Sequence, residues 1–302
     1  MVSRVYRCAA RHGWKGFLDL KIYRLGLTGF PLEHSRSPQI HQAAMEALGL
    51  RGEYKLYPLV TPAGLVDLCV RLRSGRLHGL NVTIPYKQTV IPLVDRLTPT
   101  AQMCGAVNTL VMDGDILVGE NTDLPAFLND LQVRMGSLTV GTALVLGAGG
   151  AARAVAAGLL QSGWKVQVAA RRVFQAQELC AELQEWTPEG YLSVVDWTPE
   201  DLQVGITQST LLVNATPAGM YPLIESDPLP MDVQFSTELC VYDLIYNPLE
   251  TCLLQRARAN GNRTAHGLGM LVEQAALAFE RWTGTVAPRK AMRAAGWGNE
   301  IA

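Results

Sequence analysis

The sequence predicts an α/β fold built as two consecutive units, and three observations predict it. Apolar runs of strand length alternate with helical-period segments along most of the chain. One such run, Ala143 to Leu146, breaks at Gly147-Ala148-Gly149-Gly150 and resumes as an Ala-rich segment of strong helix propensity. The 302 residues suit two domains on a soft prior of roughly 150 residues each.

Bulk composition narrows the class. The chain is 48% apolar and 18% charged, as in a folded globular protein. A net charge of -1 argues against a nucleic-acid or anionic-membrane surface. Its six cysteines (8, 69, 104, 180, 240, 252) form no CxxC pair and no Cys/His cluster, so reduced thiols are expected, with no disulfide framework and no metal. No apolar run reaches the 18 or so residues needed to span a bilayer. The start carries Arg4, Arg7, Arg11 and Lys15 against Asp19 without an apolar core. Residues 1–21 are therefore read as an extension, or a start codon set too early, in preference to an organelle transit peptide. A cytoplasmic protein is expected.

In the first unit, Tyr23–Gly29 reads as a strand. A polar loop, Pro31 to Pro38, then feeds a helix with Ile40, Ala43, Ala44, Ala47 and Leu48 at helical spacing and Gly49 as its stop. Ser37 is placed as its N-cap, with Pro38 at a tolerated first position. Ser35 and Ser37 could hold a small carboxylate, but local sequence favours a loop residue and a cap. Tyr54–Val60 is the next strand and Ala63–Leu72 a helix with Leu65, Val66, Leu68 and Cys69 inward. His78–Ile84 follows as a strand on which Asn81 and Thr83, two apart, share a face. Lys87 comes within a turn of them. Polar groups at the carboxyl end of a parallel strand are where α/β proteins place ligands, against the plain reading of Lys87 as a solvated surface residue. Gly105–Val111, carrying Asn108, then pairs across an Asp113-Gly114-Asp115 turn with Ile116–Asp123. Asp123 precedes an amphipathic helix, whose cap it could simply be.

The second unit opens on the glycine turn. A buried strand, a tight turn and a helix start make a phosphate site, because unpaired amides and the positive helix end meet there. An acid about 20 positions past the first glycine would mark NAD. That window holds Ala169-Ala170-Arg171-Arg172, which suits a 2'-phosphate through charge-assisted bonds and favours NADP. Trp164–Ala169, Tyr191–Val195, Ser209–Ala215 and Leu239–Tyr246 read as strands, Phe174–Trp186 and Thr251–Ala259 as helices. A last helix starts near Leu268 with Leu271, Val272, Ala275, Ala276, Phe279 and Trp282 as its apolar face, leaving Gln274 aside as a surface residue.

Taken in order, several stretches resemble the shikimate dehydrogenase family over roughly residues 22–285. They are His34–Pro38, Asn81–Lys87, Gly105–Thr109, Asn121–Asp123, Gly147–Ala151, Val213–Thr216, Tyr242–Tyr246 and Gly267–Ala275. The resemblance implies an N-terminal α/β substrate-binding domain, a Rossmann-type doubly wound NADP-binding domain at 124–264, and a C-terminal helix returning to the first domain, which becomes 22–123 plus 265–302. It implies reversible NADPH-dependent reduction of 3-dehydroshikimate to shikimate. Ser35 and Ser37 then hold the substrate carboxylate, overturning the local preference. Thr83, Asn108, Tyr246 and Gln274 become ligands of the ring hydroxyls, and Lys87 and Asp123 the pair at the reacting carbon. Gly147, Ala148, Gly149, Gly150, Ala151, Arg171, Arg172, Asn214, Thr216, Gly267 and Met270 fall on the cofactor side.

The sequence departs from the family pattern at Ala170-Arg171-Arg172, where Asn-Arg-Thr is common, at Gln175 in place of an arginine, and at Leu124 in place of a glycine. Two rivals remain: a quinate/shikimate dehydrogenase using NAD, and a non-catalytic dinucleotide-binding regulator, which would be expected to lose Lys87 or Asp123. No surface stripe stands out as an interface, so oligomeric state stays open, a homodimer being the assembly considered.

Overall fold

A computed structural model describes residues 21–297. The proposed N-terminal extension, except Lys21, and Cys8 lie outside the described residues. Two six-stranded sheets organise the chain. The first takes β1 (Ile22–Gly29), β2 (Arg51–Pro58), β3 (Gly79–Val82), β4 (Arg96–Leu97), β5 (Thr109–Asp113) and β6 (Ile116–Glu120) in the order β2-β1-β3-β5-β6-β4. β1 runs parallel to β2 and β3, while β5 is antiparallel to both β3 and β6. Helices α1 (Ser37–Ala47), α2 (Gly64–Arg73) and the short α3 (Pro99–Cys104) connect these strands.

After α4 (Asp123–Met135) comes the second sheet, from β7 (Thr142–Leu146), β8 (Lys165–Ala169), β9 (Leu192–Val195), β10 (Leu211–Asn214), β11 (Cys240–Asp243) and β12 (Arg263–His266). All its pairings are parallel, in the order β12-β11-β10-β7-β8-β9. That is the doubly wound arrangement, with its switch point between β7 and β10. α5 (Gly150–Gln161), α6 (Val173–Gln184), α7 (Pro199–Thr207) and α8 (Cys252–Ala259) cross between strands. The chain ends in α9 (Leu268–Thr283) and α10 (Arg289–Trp297).

Buried strands β7 and β10 read as continuous apolar runs because helices cover both faces. α4 packs Phe127 and Leu131 into one cluster with Val145, Val155 and Leu159 of the second sheet's layer. α9 buries Val272, Ala275, Ala276 and Phe279 against Leu25, Ile40 and Met45 of the first, so the late helix returns to the early sheet. No helix among the described residues is long and apolar enough to cross a membrane.

Local readings fail at several points. Val66 is 53% exposed, because α2 turns only Leu65, Leu68, Cys69 and Leu72 inward. β2 begins at Arg51 and ends at Pro58, earlier than expected. Asn121 and Thr122 fall beyond β6. β4, α3, α7, β12 and α10 were not anticipated: they are short, and pairing or packing supplies what local pattern does not.

His41, on α1, is fully buried, stacked 4.2 Å from the Tyr54 ring at an interplanar angle of 6°, and neither ring nitrogen has a hydrogen bond of normal geometry. Burial pushes its pKa down to about 3, with only the nearby Asn81 side chain opposing. The folded state thus refuses a proton that the unfolded chain accepts below its ordinary 6.5. This group's contribution to stability is intact above that pH and falls as pH drops toward about 3, by at most about 1.4 kcal/mol per pH unit. Replacing His41 by Phe is expected to flatten the acid limb of stability between those limits. Denaturant unfolding at stepped pH checks it; an unchanged slope would assign the acid sensitivity elsewhere.

Candidate active site

Strand directions bring the polar groups together. β1 and β3 are parallel, and β5 and β6 reverse in turn. The end of β1, the end of β3, the start of β5 and the end of β6 therefore lie along one edge of the first sheet. From that edge come the Ser35/Ser37 loop, Thr83 with Lys87, Asn108, and Asp123. The backbone fixes their register: Val82 N donates to Asn108 O at 2.8 Å, Asn108 N to Glu120 O at 3.0 Å, and Val107 N to Lys87 O at 2.7 Å.

Lys87 and Asp123 form the centre. Lys87 Nζ donates to Asp123 Oδ2 at 2.6 Å, with the side chains only 13% and 6% exposed. Asn108 Nδ2 donates to Asp123 Oδ1 at 2.8 Å. Asp123 is the first residue of α4 and does not cap it. Asn121 does: its Oδ1 accepts from the amides of Asp123 and Leu124 at 3.0 and 3.1 Å. Asp123 is thereby left free to use both oxygens toward Asn108 and Lys87, at the positive end of a helix. Leu124 packs back against Gly158.

The expected cap at Ser37 is also corrected. Ser37 is the first helical residue of α1, buried, and Arg36 holds the cap position without capping the helix through its side chain, which donates to Gly296 O at 2.9 Å. Ser35 Oγ accepts from Ser37 N at 3.3 Å, so one serine braces the other. Thr83 and Gln274 are half-buried, the latter donating to Leu271 O at 2.7 Å. Tyr246 follows β11 and packs against the core of the first sheet. Burial raises its pKa, with Arg36 opposing. His34, beside the serines, meets Tyr221 of the second unit edge to face at 4.2 Å.

The glycine turn stands directly opposite. Gly147 has φ +106°, and a Cβ there would come within 3.0 Å of Ala215 O, so only glycine suits it. Gly149 precedes α5 with open space where a Cβ would stand. A Cβ at Gly150 would lie 2.9 Å from Lys87 Cβ and Cδ. Hence the first residue of α5 rests on the Lys87 stem. Arg153, one turn on and 2% exposed, pairs with Glu182. With the Gln88 amide oxygen turned toward it, Arg153 donates to Gln88 through Nη2 and Nε, each at 3.2 Å. Nothing local in the sequence marks these contacts, because 62 positions separate Gly150 and Lys87 only along the chain.

This turn fits a dinucleotide: α5 starts with unpaired amides and open space above Gly149, flanked by Ala148 and Ala151. Arg171 and Arg172, past the end of β8, are exposed, and the positions next to them in the sequence carry no acid. Asn214 stands at the end of β10. It is fully buried, donating to Asp243 Oδ1 at 3.0 Å and Ala218 O at 3.3 Å and accepting from Thr216 N and Oγ1. Its amide is spent shaping the Thr216 turn. Gly267 precedes α9, where a Cβ would overlap Leu244 O, and Met270 lies buried behind it.

Comparison with known proteins agrees with this layout. Residues 27–110 match the model for the shikimate dehydrogenase substrate binding domain, and 267–295 that for the shikimate 5'-dehydrogenase C-terminal domain. A shikimate dehydrogenase (NADP(+)) of Salinibacter ruber is 43% identical over 91% of this chain and 97% of its own. The shikimate 5-dehydrogenase of Thermus thermophilus, solved with NADP(H) and shikimate, is 38% identical with a TM-score of 0.78 over 91% of this chain and 98% of its own. Quinate dehydrogenase from Corynebacterium glutamicum, solved with NAD, is 32% identical with a TM-score of 0.83 over 91% and 99%. With curated relatives 41–43% identical over about nine-tenths of its length, the chain belongs to the shikimate dehydrogenase family.

Proposed function

We propose that the chain is an NADP-dependent shikimate dehydrogenase of the cytoplasm, reversibly reducing the ketone of 3-dehydroshikimate to the hydroxyl of shikimate in aromatic amino acid biosynthesis. One observation carries the reading: a buried ammonium–carboxylate pair packed directly against the start of a dinucleotide-type helix. Ketone reduction needs a hydride at carbon and a proton for the developing alkoxide at one place, and this arrangement supports both.

In this reading Ser35 and Ser37 hold the substrate carboxylate, and Thr83, Asn108, Tyr246 and Gln274 hold the ring hydroxyls. Lys87 stabilises the forming negative charge at the ketone oxygen and donates its proton there. Asp123 holds the lysine and accepts a hydrogen bond from the neighbouring hydroxyl. Gly147 through Ala151 carry the pyrophosphate, Arg171 and Arg172 the 2'-phosphate, and Thr216, Gly267 and Met270 border the nicotinamide, with Asn214 behind them. When bound, the reduced cofactor supplies the hydride. The division into 22–123 with 265–302 and 124–264 belongs to this reading, supported by the separate sheets and the return of α9.

The NAD-linked quinate activity of a structural relative is the second reading. The arginines and the missing acid after β8 favour NADP over it. Following nicotinamide absorbance with shikimate and quinate, each with NADP and NAD, separates them. Activity with neither acid would sink both. Lys87→Ala is expected to lower turnover by roughly 10²–10⁴-fold with substrate KM largely kept; near-normal turnover would remove Lys87 from the chemical step. Replacing Arg171 and Arg172 together by Ala should raise the KM for NADP by roughly ten- to a hundredfold while leaving that for NAD nearly unchanged. Parallel losses with both cofactors would assign the arginines a structural role.

A further inference from the structure

Behind Asp123 and Asn108 the first sheet carries three buried side chains that the proposed mechanism does not use, Tyr54, Asn81 and Thr109. Tyr54 OH, on β2, donates to Asn81 Oδ1 at 2.8 Å. Asn81 Nδ2, on β3, donates to Thr109 Oγ1 at 3.1 Å. Thr109 Oγ1, on β5, donates to Asn108 Oδ1 at 3.0 Å, and Asn108 Nδ2 reaches Asp123 Oδ1 at 2.8 Å. All five residues are buried.

The orientation of both amides in the line is set by backbone groups that cannot exchange roles. Thr122 N, a donor only, points at Asn108 Oδ1 at 2.8 Å, so the other end of that amide, the NH₂, must face Asp123. Asn108 O, an acceptor only, faces Asn81 Nδ2 at 3.1 Å, so Asn81 Oδ1 must face Tyr54. The phenol must then donate. Thr109, receiving an N–H from Asn81, has Asn108 Oδ1 as its nearer acceptor at 3.0 Å, with Thr122 Oγ1 at 3.4 Å. Every bond runs toward Asp123, and the line delivers only N–H to that carboxylate. The far end is equally fixed, since the Tyr54 ring lies flat on His41, one turn along α1 from Ser37.

We infer that Tyr54, Asn81 and Thr109 are positioning residues: they lock the Asn108 amide so that Asp123 is held as an acceptor oriented toward Lys87. This rests on the reading of Lys87 and Asp123 as the reacting pair. Loss of the Tyr54 hydroxyl leaves Asn81 Oδ1 without its donor, so Asn81 is held from its Nδ2 side alone, and the slack passes through Thr109 to Asn108. The Tyr54 hydroxyl also meets the Ser37 side chain, so Thr109, two links further along the line, carries the separation of kcat from KM.

The test compares Tyr54→Phe, Thr109→Val and the double variant with the wild type in the same shikimate and NADP assay. Each single variant is expected to lower kcat about tenfold with both KM values within about twofold. The double should be about as slow as either single, since both cut one line. Thr109→Ser, which keeps the hydroxyl, should restore most of kcat and guards against a Tyr54→Phe chain that fails to fold. Wild-type kcat in folded single variants, losses that multiply to about a hundredfold in the double, or a rise in KM alone would overturn the inference. An inactive wild type would instead strike the functional reading on which it rests.

Discussion

The buried Lys87–Asp123 pair is the interaction on which the rest of the structure is arranged. Taking a carboxylate and an ammonium out of water costs several kcal/mol per ion, and mutual attraction offsets this only when further hydrogen bonds satisfy the remaining groups. Asp123 receives those bonds from Asn108, and its negative charge sits at the start of α4, where the helix dipole favours it. Lys87 is served less fully. Among the described residues, Asp123 is the hydrogen-bond partner of its Nζ, leaving two of three N–H groups for a ligand. A pair whose acid is held on both oxygens and whose ammonium keeps N–H groups for a ligand is suited to giving a proton at the lysine.

That pair would be of little use without the second sheet, and the link between them is steric. Gly150 has no side chain, so the start of α5 rests on the aliphatic stem of Lys87. Arg153 extends the contact by one turn, joining Glu182 on α6 to Gln88 beside Lys87. A buried guanidinium cannot be left unpaired without a large penalty, so this junction has a preferred geometry. The glycine turn and the proposed proton donor therefore share one rigid contact, although they belong to different sheets. Close registry of this kind is what hydride and proton delivery to adjacent atoms requires.

Much of this was legible from residue order, and what was not has physical reasons. The glycine turn, the buried strands β7 and β10 and the apolar face of α9 follow from short-range pattern, which acts within a few residues. The short β4 and β12 do not, since a two- or four-residue strand is specified by its neighbour. The serine and aspartate assigned as caps, Ser37 and Asp123, sit one position inside their helices. Choosing among adjacent polar residues depends on backbone angles that a sequence does not display. Asn121 could have been found: an Asn two positions before a helix-starting Asp is a ready Asx turn. Tyr54 could not, because its partner Asn81 is 27 residues away and nothing in either strand names the other.

The polar line through the first sheet also explains why this core tolerates an ill-placed group such as His41. Buried polar networks rigidify a structure when every member is satisfied and weaken it when one is not. From Tyr54 to Asp123 each donor and acceptor has a partner, so the line can lie against the buried cluster of Leu25, Leu27 and Trp282 at little cost. His41 is the member left out, stacked on the phenol with both nitrogens unsatisfied. An apolar ring there would remove the desolvation penalty while keeping a flat surface under Tyr54. Instability at one histidine is thus confined to the far end of the line, where it supports orientation without touching the reacting groups.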